Sequence, residues 1–199
     1  NCTMKKQEGK TTEGAALFFN GDKGTVTVTG CTFEESMICF SDMANADEVM
    51  VENNTFDALN TYASQFISTV TWSNPATKEM ADVTFKGNTF QNLPDGYERI
   101  VAMRLLGEIT LIDNTLPEGL NMADLVCFED RSGSYAGWPT MAELAENAAV
   151  NIVENGVTTK VTTDADGNQT ALPVEGETDV TAKADITYTV IIPEVVDFG

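Results

Sequence analysis

Alternating apolar residues recur four times along this chain, and each run is followed by the same short polar motif. Within a copy, two apolar residues stand two positions apart, as Val26 and Val28 do, which is typical of a strand with one buried face. Residues 1–4 match the last four positions of the motif, and we interpret them as part of a fifth copy. The four complete copies are residues 25–33, 48–56, 82–90 and 108–116.

The alternation breaks at one fixed position, which predicts a corner in an extended chain. The residues at this position all belong to types that tolerate a left-handed backbone: Gly30, Asn53, Gly87, Asp113 and, in the partial copy, Asn1. The next position holds asparagine in three copies and cysteine in the other two. Stacked copies would align the amides in a ladder in which each side chain bonds the backbone and the next amide. An apolar column would lie beside it: Phe33, Phe56, Phe90 and Leu116.

A second apolar run lies between successive copies, at residues 16–20, 37–41, 65–72, 100–106 and 125–129. One repeat cannot bury its own apolar face, whereas stacked repeats can. The repeat pattern, two apolar positions followed by asparagine and a further apolar residue, resembles the parallel β-helix repeats of the pectin-lyase-like superfamily over residues 1 to about 130. The expected fold class is therefore all-β: a right-handed parallel β-helix of about five coils, with a short helix and a small β-rich C-terminal region.

Three regions are predicted: a parallel β-helix at 1–131, a linker with a short helix at 132–150, and a β-rich region at 151–199 that begins a further module. Thr140 and Glu143 fit a capping box, which predicts a helix of about ten residues. Hairpin turns are predicted at residues 155–156 and 166–167, Asn-Gly and Asp-Gly. The last residues resemble the opening strands of β-sandwich modules in surface proteins of gut-type Firmicutes, so we expect a piece of a longer protein.

Charge and cysteine content narrow the function classes. Eleven basic residues against 31 acidic ones give a net charge of −20, which repels nucleic acid and anionic membranes. Histidine is absent, which removes the commonest general base and metal ligand. Cys2 and Cys31 share the ladder column, but parallel stacking spaces their Cβ atoms more widely than a relaxed disulfide allows. Buried thiols are therefore favoured over a bridge.

The candidate ligand face follows the second strand of each repeat and comprises Asp42, Trp72, Arg104 and Asp130. The resemblance implies that substrates bind along such a face, where carboxylates act as acid and base in glycoside hydrolysis. The alternative is a solvated acidic face, which we favour because acidic side chains are mostly exposed. Asp164, Asp166 and Asn168 place oxygens at alternate positions, as calcium loops do, and a hairpin tip explains them equally well.

These observations predict a non-catalytic, surface-exposed module, an adhesin or a spacer, in a secreted or wall-attached bacterial protein. The alternative is a carbohydrate-active fragment, a polysaccharide lyase or glycoside hydrolase, that uses the second-strand face. Expected partners are glycans or surface proteins of a host or of bacteria, with no nucleic acid and no membrane insertion. We predict no catalytic residues, no cofactor apart from the calcium alternative, and an extracellular or cell-surface location by resemblance.

Overall fold

The computed structural model describes residues 2–5, 15–20, 24–41, 46–57, 66–69, 78–93, 99–134 and 136–174. They form strands, one α-helix, α1 (Met141–Asn147), and a short 3₁₀ helix (Met122–Leu125). In chain order the strands are β1 (Thr3–Lys5), β2 (Ala15–Asn20), β3 (Gly24–Thr29), β4 (Thr32–Glu34), β5 (Met37–Ser41), β6 (Ala46–Glu52), β7 (Thr55–Asp57), β8 (Ile67–Thr69), β9 (Val83–Lys86), β10 (Thr89–Gln91), β11 (Val101–Met103), β12 (Gly107–Ile112), β13 (Val126–Phe128), β14 (Ala148–Glu154), β15 (Val157–Thr163) and β16 (Gln169–Pro173).

The strands make three sheets, and the repeats contribute strands to them in turn, except that the last copy adds only an isolated bridge, Thr115 with Thr89, to the smallest sheet. The short strands after the corner form a four-stranded parallel sheet, β1-β4-β7-β10. The second apolar runs form a five-stranded parallel sheet, β13-β11-β8-β5-β2. The alternating segments belong to a seven-stranded sheet, β16-β15-β14-β12-β9-β6-β3, which is parallel from β3 to β14 and antiparallel beyond.

The predicted fold class, an all-β right-handed parallel β-helix of about five coils, is wrong. The described residues form three separate sheets, parallel and mixed, together with one helix, and no closed or solenoid sheet is found among them. The physical reason lies at the left-handed corners, where the chain leaves one sheet and enters another, so that the strands pair within three separate sheets and not in one continuous sheet. The chain reverses at Asn155 and Gly156, so that β15 and β16 join by antiparallel pairing, whereas a continuing helical stack would add parallel strands.

The corner prediction is confirmed at all four complete copies. The φ angles are +64° at Gly30, +53° at Asn53, +61° at Gly87 and +45° at Asp113. A second left-handed position, not predicted from the sequence, follows the short strands at Glu35 (+50°) and Asn92 (+52°). Both corners let the chain leave one sheet and enter the next.

We expect Gly87→Ala to lower the free energy of unfolding by about 1–2 kcal/mol, because alanine is strained in the left-handed region. A Cβ at Gly87 would also lie 2.8 Å from Oδ1 of Asn53, which would have to move. Urea denaturation measures the change, with Gly133→Ala as the control. Gly133 lacks a positive φ, and a Cβ there meets no atom within 4 Å. Equal effects of the two substitutions would contradict the left-handed requirement.

The asparagine ladder is also confirmed, and it links three successive repeats through the buried amides of Asn54 and Asn88 and the half-buried amide of Asn114. Oδ1 of Asn88 accepts from the backbone N–H and from Nδ2 of Asn54, both at 3.0 Å. Asn114 repeats this arrangement one repeat further on, accepting from Asn88 at 2.9 Å. Each Nδ2 also donates to a carbonyl of the large sheet, at Val28, Val51 and Phe85. The ladder therefore ties the four-stranded sheet to the seven-stranded one.

The apolar column predicted beside the ladder lies in the core. The rings of Phe33, Phe56 and Phe90 stack with successive centroids 4.9 Å apart, and all three are buried. Phe85 of the seven-stranded sheet and Phe66, which lies immediately before β8, pack against the same column. Offset stacks at this spacing contribute beyond their buried area, so the column locks the register of the three sheets.

The predicted helix begins as expected but is shorter. Thr140 is its N-cap, and both halves of the capping box with Glu143 are present. The helix ends at Asn147, after seven residues, because the following residues pair with β12 as strand β14. This strand crosses residue 150, where the predicted linker region ends; the three-region division itself stays a prediction.

We expect Glu143 to make the free energy of unfolding depend on pH in the acid range. Lys78, whose Nζ lies 2.7 Å from Oε2 of Glu143, and the bonds from Thr140 lower the pKa of Glu143 from 4.5 to about 2. A lowered folded-state pKa adds stability above pH 4.5, and this is lost as the pH falls towards 2. Its side chain is 39% exposed, so we expect less than about 1 kcal/mol. Urea midpoints of Glu143→Gln should therefore converge with the parent between pH 5 and 2, whereas those of Glu146→Gln should follow the parent throughout.

Both predicted hairpin turns are confirmed. Asn155 and Gly156 have positive φ angles between β14 and β15, and Gly167 has one between β15 and β16. The second hairpin covers an edge of the five-stranded sheet. The Gln169 amide accepts from the N–H of Phe128 at 3.0 Å and donates to the carbonyl of Val126 at 2.9 Å. It pairs with β13 as a further strand would.

Candidate functional site

The predicted ligand face is only partly within the described residues. Asp42 and Trp72 lie outside them. Arg104 follows β11 and Asp130 follows β13, at the same end of two adjacent parallel strands. No hydrogen bond or ion pair joins these two residues in the described part of the chain, and each has its own set of partners.

Arg104 is a buried residue, 7% exposed, and its guanidinium spans three strands. Its Nε donates to Oε2 of Glu129 at 2.8 Å, and one terminal nitrogen donates to the hydroxyl of Ser68 at 2.7 Å. The hydroxyl of Thr69 accepts from the backbone N–H groups of Arg104 and Leu105, at 2.6 and 2.9 Å. Ser68 and Thr69 belong to β8, so the ends of β8, β11 and β13 are held together.

Glu129 is the centre of this site, and it was not predicted from the sequence. All three arginines of the chain contact its carboxylate: Arg99, Arg104 and Arg131. Arg131 donates twice to Oε2, at 3.1 and 2.7 Å. We call these four side chains the Glu129 cluster. The available signal was compositional: a chain of net charge −20 places its three arginines within residues 99–131.

Burial differs across the Glu129 cluster. The side chains of Glu129 and Arg104 are 11% and 9% exposed, whereas Arg131 is 42% exposed. The Glu129 carboxylate accepts charge-assisted hydrogen bonds from several guanidinium groups, which occupy its oxygens. Such a group is a poor general base, because a proton taken from a substrate would have to displace strong charge-assisted bonds. The geometry suits a structural clamp at the end of the sheet.

Asp130 forms hydrogen bonds with residues near it in the chain. Its carboxylate accepts from the hydroxyl and N–H of Ser132, at 2.6 and 2.8 Å, and from the N–H of Met141 at 2.8 Å. These bonds, with the Ser132 hydroxyl contributing most, lower the pKa of Asp130. An aspartate with a lowered pKa is ionised at neutral pH and cannot donate a proton as a general acid. Asp130 therefore ties the segment after β13 to the first residue of α1.

The segment for which calcium was the alternative, Asp164 to Asn168, is explained by its own hydrogen bonds. The Asp164 carboxylate accepts from the amide and N–H of Asn168 and from the N–H of Asp166, each at 2.9 Å. The Asn168 side chain is the main reason that the pKa of Asp164 is lowered. Within the described ranges, no group of three or more His, Cys, Asp or Glu side chains is placed to hold a metal ion. The described contacts are those of a hairpin tip.

No protein-family model, curated protein or solved structure matches this chain. The resemblance to the pectin-lyase-like superfamily therefore stays a prediction, and any functional argument depends on the residues themselves. Among the residues that the structure describes, no helix is long and apolar enough to cross a membrane.

Proposed function

We propose that this chain is a non-catalytic, surface-exposed module of a secreted or wall-attached bacterial protein, in which it serves as a spacer or an adhesin. One observation carries the proposal. Arg104 and Asp130 are the described charged residues of the predicted ligand face. Both form hydrogen bonds with the protein's own side chains and backbone.

The Glu129 cluster and the asparagine ladder support a mechanical role. Both sit at strand ends, and both satisfy buried polar groups with partners from other strands. Fully satisfied buried networks fix one arrangement of the chain and oppose local opening. A module with these features holds its ends in a fixed relation, as a spacer must.

The charge of −20 supports an exposed location and selects partners. It keeps the module soluble and repels nucleic acid and anionic lipid surfaces. It favours cationic or neutral partners, which include glycans without acidic groups and basic patches of surface proteins. In this proposal an adhesin would use exposed loops, because the described strand ends are already occupied by internal contacts.

A digestion assay tests the proposal against the alternative of a carbohydrate-active fragment. The purified chain is incubated with neutral and acidic polysaccharides, with and without calcium, and reducing ends and unsaturated products are measured. We expect no product above the buffer level. Activity that is lost in Asp42→Ala, and kept in the exposed control Glu118→Gln, would overturn the proposal. If no product forms, binding assays with glycans and surface proteins distinguish an adhesin, which binds them, from a spacer, which does not.

A further inference from the structure

The first two members of the ladder column are cysteines, and their side chains meet at one end of the four-stranded sheet. Sγ of Cys2 lies 3.2 Å from Sγ of Cys31. The backbone register brings them together: Thr3 pairs with Thr32, and the N–H of Thr32 donates to the carbonyl of Cys2 at 2.9 Å. The two thiols are in direct contact although 29 positions separate them in sequence.

We propose that Cys2 and Cys31 are a disulfide site, which bridges strands β1 and β4 covalently when the protein meets an oxidant. Bond formation requires the sulfurs to approach to about 2.05 Å, a movement of roughly 1 Å from the thiol state. The wide Cβ spacing of parallel strands argues against a relaxed bridge, but the sulfurs already turn towards each other. Among the described strands, β1 pairs only with β4, so β1 can move to relieve strain.

The ladder chemistry explains why this position is open to oxidation. Asn54 accepts from the N–H of Cys31 at 2.9 Å, but no amide continues the ladder from Cys31 to Cys2. The Cys31 thiol has only weak contacts, to Cys2 and to the carbonyl of Thr29 at 3.5 Å. A covalent bond would supply the link between β1 and β4 that the amides supply between the later strands.

The oxidant is a disulfide of a small thiol or of a protein thiol oxidase. The exposed Cys2 thiolate attacks it, forms a mixed disulfide and releases one thiol. The Cys31 thiolate then attacks Sγ of Cys2 and releases the second thiol. Two cysteine thiols lose two protons and two electrons, and the oxidant disulfide gains them as two thiols. The hydrogen bond with Cys31 raises the pKa of Cys2, so the first step should accelerate as the pH rises.

The other two cysteines are internal controls. Cys39 and Cys127 both belong to the five-stranded sheet, at corresponding register positions, and Ser68 and Ala102 stand between them. Their strands are separated by β8 and β11, which is too far for a bridge. Only the Cys2 and Cys31 pair is placed to react within one chain.

The test uses the whole chain in oxidised-glutathione buffer, followed by alkylation under denaturing conditions and mass analysis of a non-reducing digest. We expect Cys2 to be linked to Cys31, with the loss of two alkylated thiols and a higher urea midpoint that dithiothreitol reverses. Cys127→Ser should keep the bridge and the shift, whereas Cys2→Ser should lose both. Alkylation of both Cys2 and Cys31, or recovery of Cys2 only in glutathione adducts or dimers, would overturn the proposal. Neither outcome depends on whether the module has catalytic activity.

Discussion

Replacing Asn88 with leucine should lower the free energy of unfolding by about 3 kcal/mol. Asn88 is fully buried in the middle of the ladder. Its Oδ1 accepts from the backbone N–H of Asn54, and its Nδ2 donates to the carbonyl of Val51. Leucine has a similar volume but cannot bond, so these buried groups lose a partner at a cost of roughly 1–3 kcal/mol each.

Urea denaturation followed by circular dichroism measures this loss. The matched control is Asn147→Leu, because Asn147 is exposed and its amide makes only one bond, to the carbonyl of Glu143 at 3.2 Å. Water replaces that bond, and we expect a change within about 0.5 kcal/mol. A midpoint for Asn88→Leu equal to that of the control would show that the ladder does not stabilise the fold.

The local geometry could be predicted from the sequence because the repeat forces the same solution each time. A left-handed corner accepts few residue types, so Gly30, Asn53 and Gly87 stand out in one column. The second left-handed position was missed because one of its occupants is Glu35, a type that gives no such signal. A left-handed position can therefore be predicted from the sequence only where the residues that occupy it belong to the few types that favour this backbone conformation.

The prediction of the global architecture was wrong because repeat patterns specify strands and their pairing but not how the resulting sheets associate. Asn155 and Gly156 were correctly predicted as a turn. The pattern did not reveal that β14 extends the large sheet by parallel pairing with β12, while β15 and β16 extend it by antiparallel pairing. These associations depend on tertiary packing, which overrides local signals.

The Glu129 cluster was missed for a similar reason. Arg99 and Arg104 stand 30 and 25 positions before Glu129, and no short motif connects them. The prediction selected aspartates and an arginine next to apolar runs, and so identified Arg104 but not the carboxylate that it contacts. Only the parallel pairing of β11 with β13 brings these side chains together.

Glu129→Gln should destabilise the protein by about 3–5 kcal/mol, the range expected when one partner of a buried ion pair is removed. Glutamine keeps the shape of the side chain but removes the charge that compensates Arg104, which is 7% exposed. The loss should change little with added salt, because buried pairs are poorly screened. Breaking the exposed pair of Lys160 with Glu108, whose charged atoms lie 2.9 Å apart, should cost less stability as salt is added, because exposed charges are screened.

Arg131→Met is the matched control, because Arg131 contacts the same carboxylate from the surface with 42% of its side chain exposed. Exposed pairs contribute at most about 1 kcal/mol, so this change should be small. The double variant Glu129→Gln with Arg104→Met should recover part of the loss, since it removes the buried cation as well. Equal losses of unfolding free energy in Glu129→Gln and Arg131→Met would show that burial does not strengthen the Glu129 cluster. The cluster would then not clamp the strand ends.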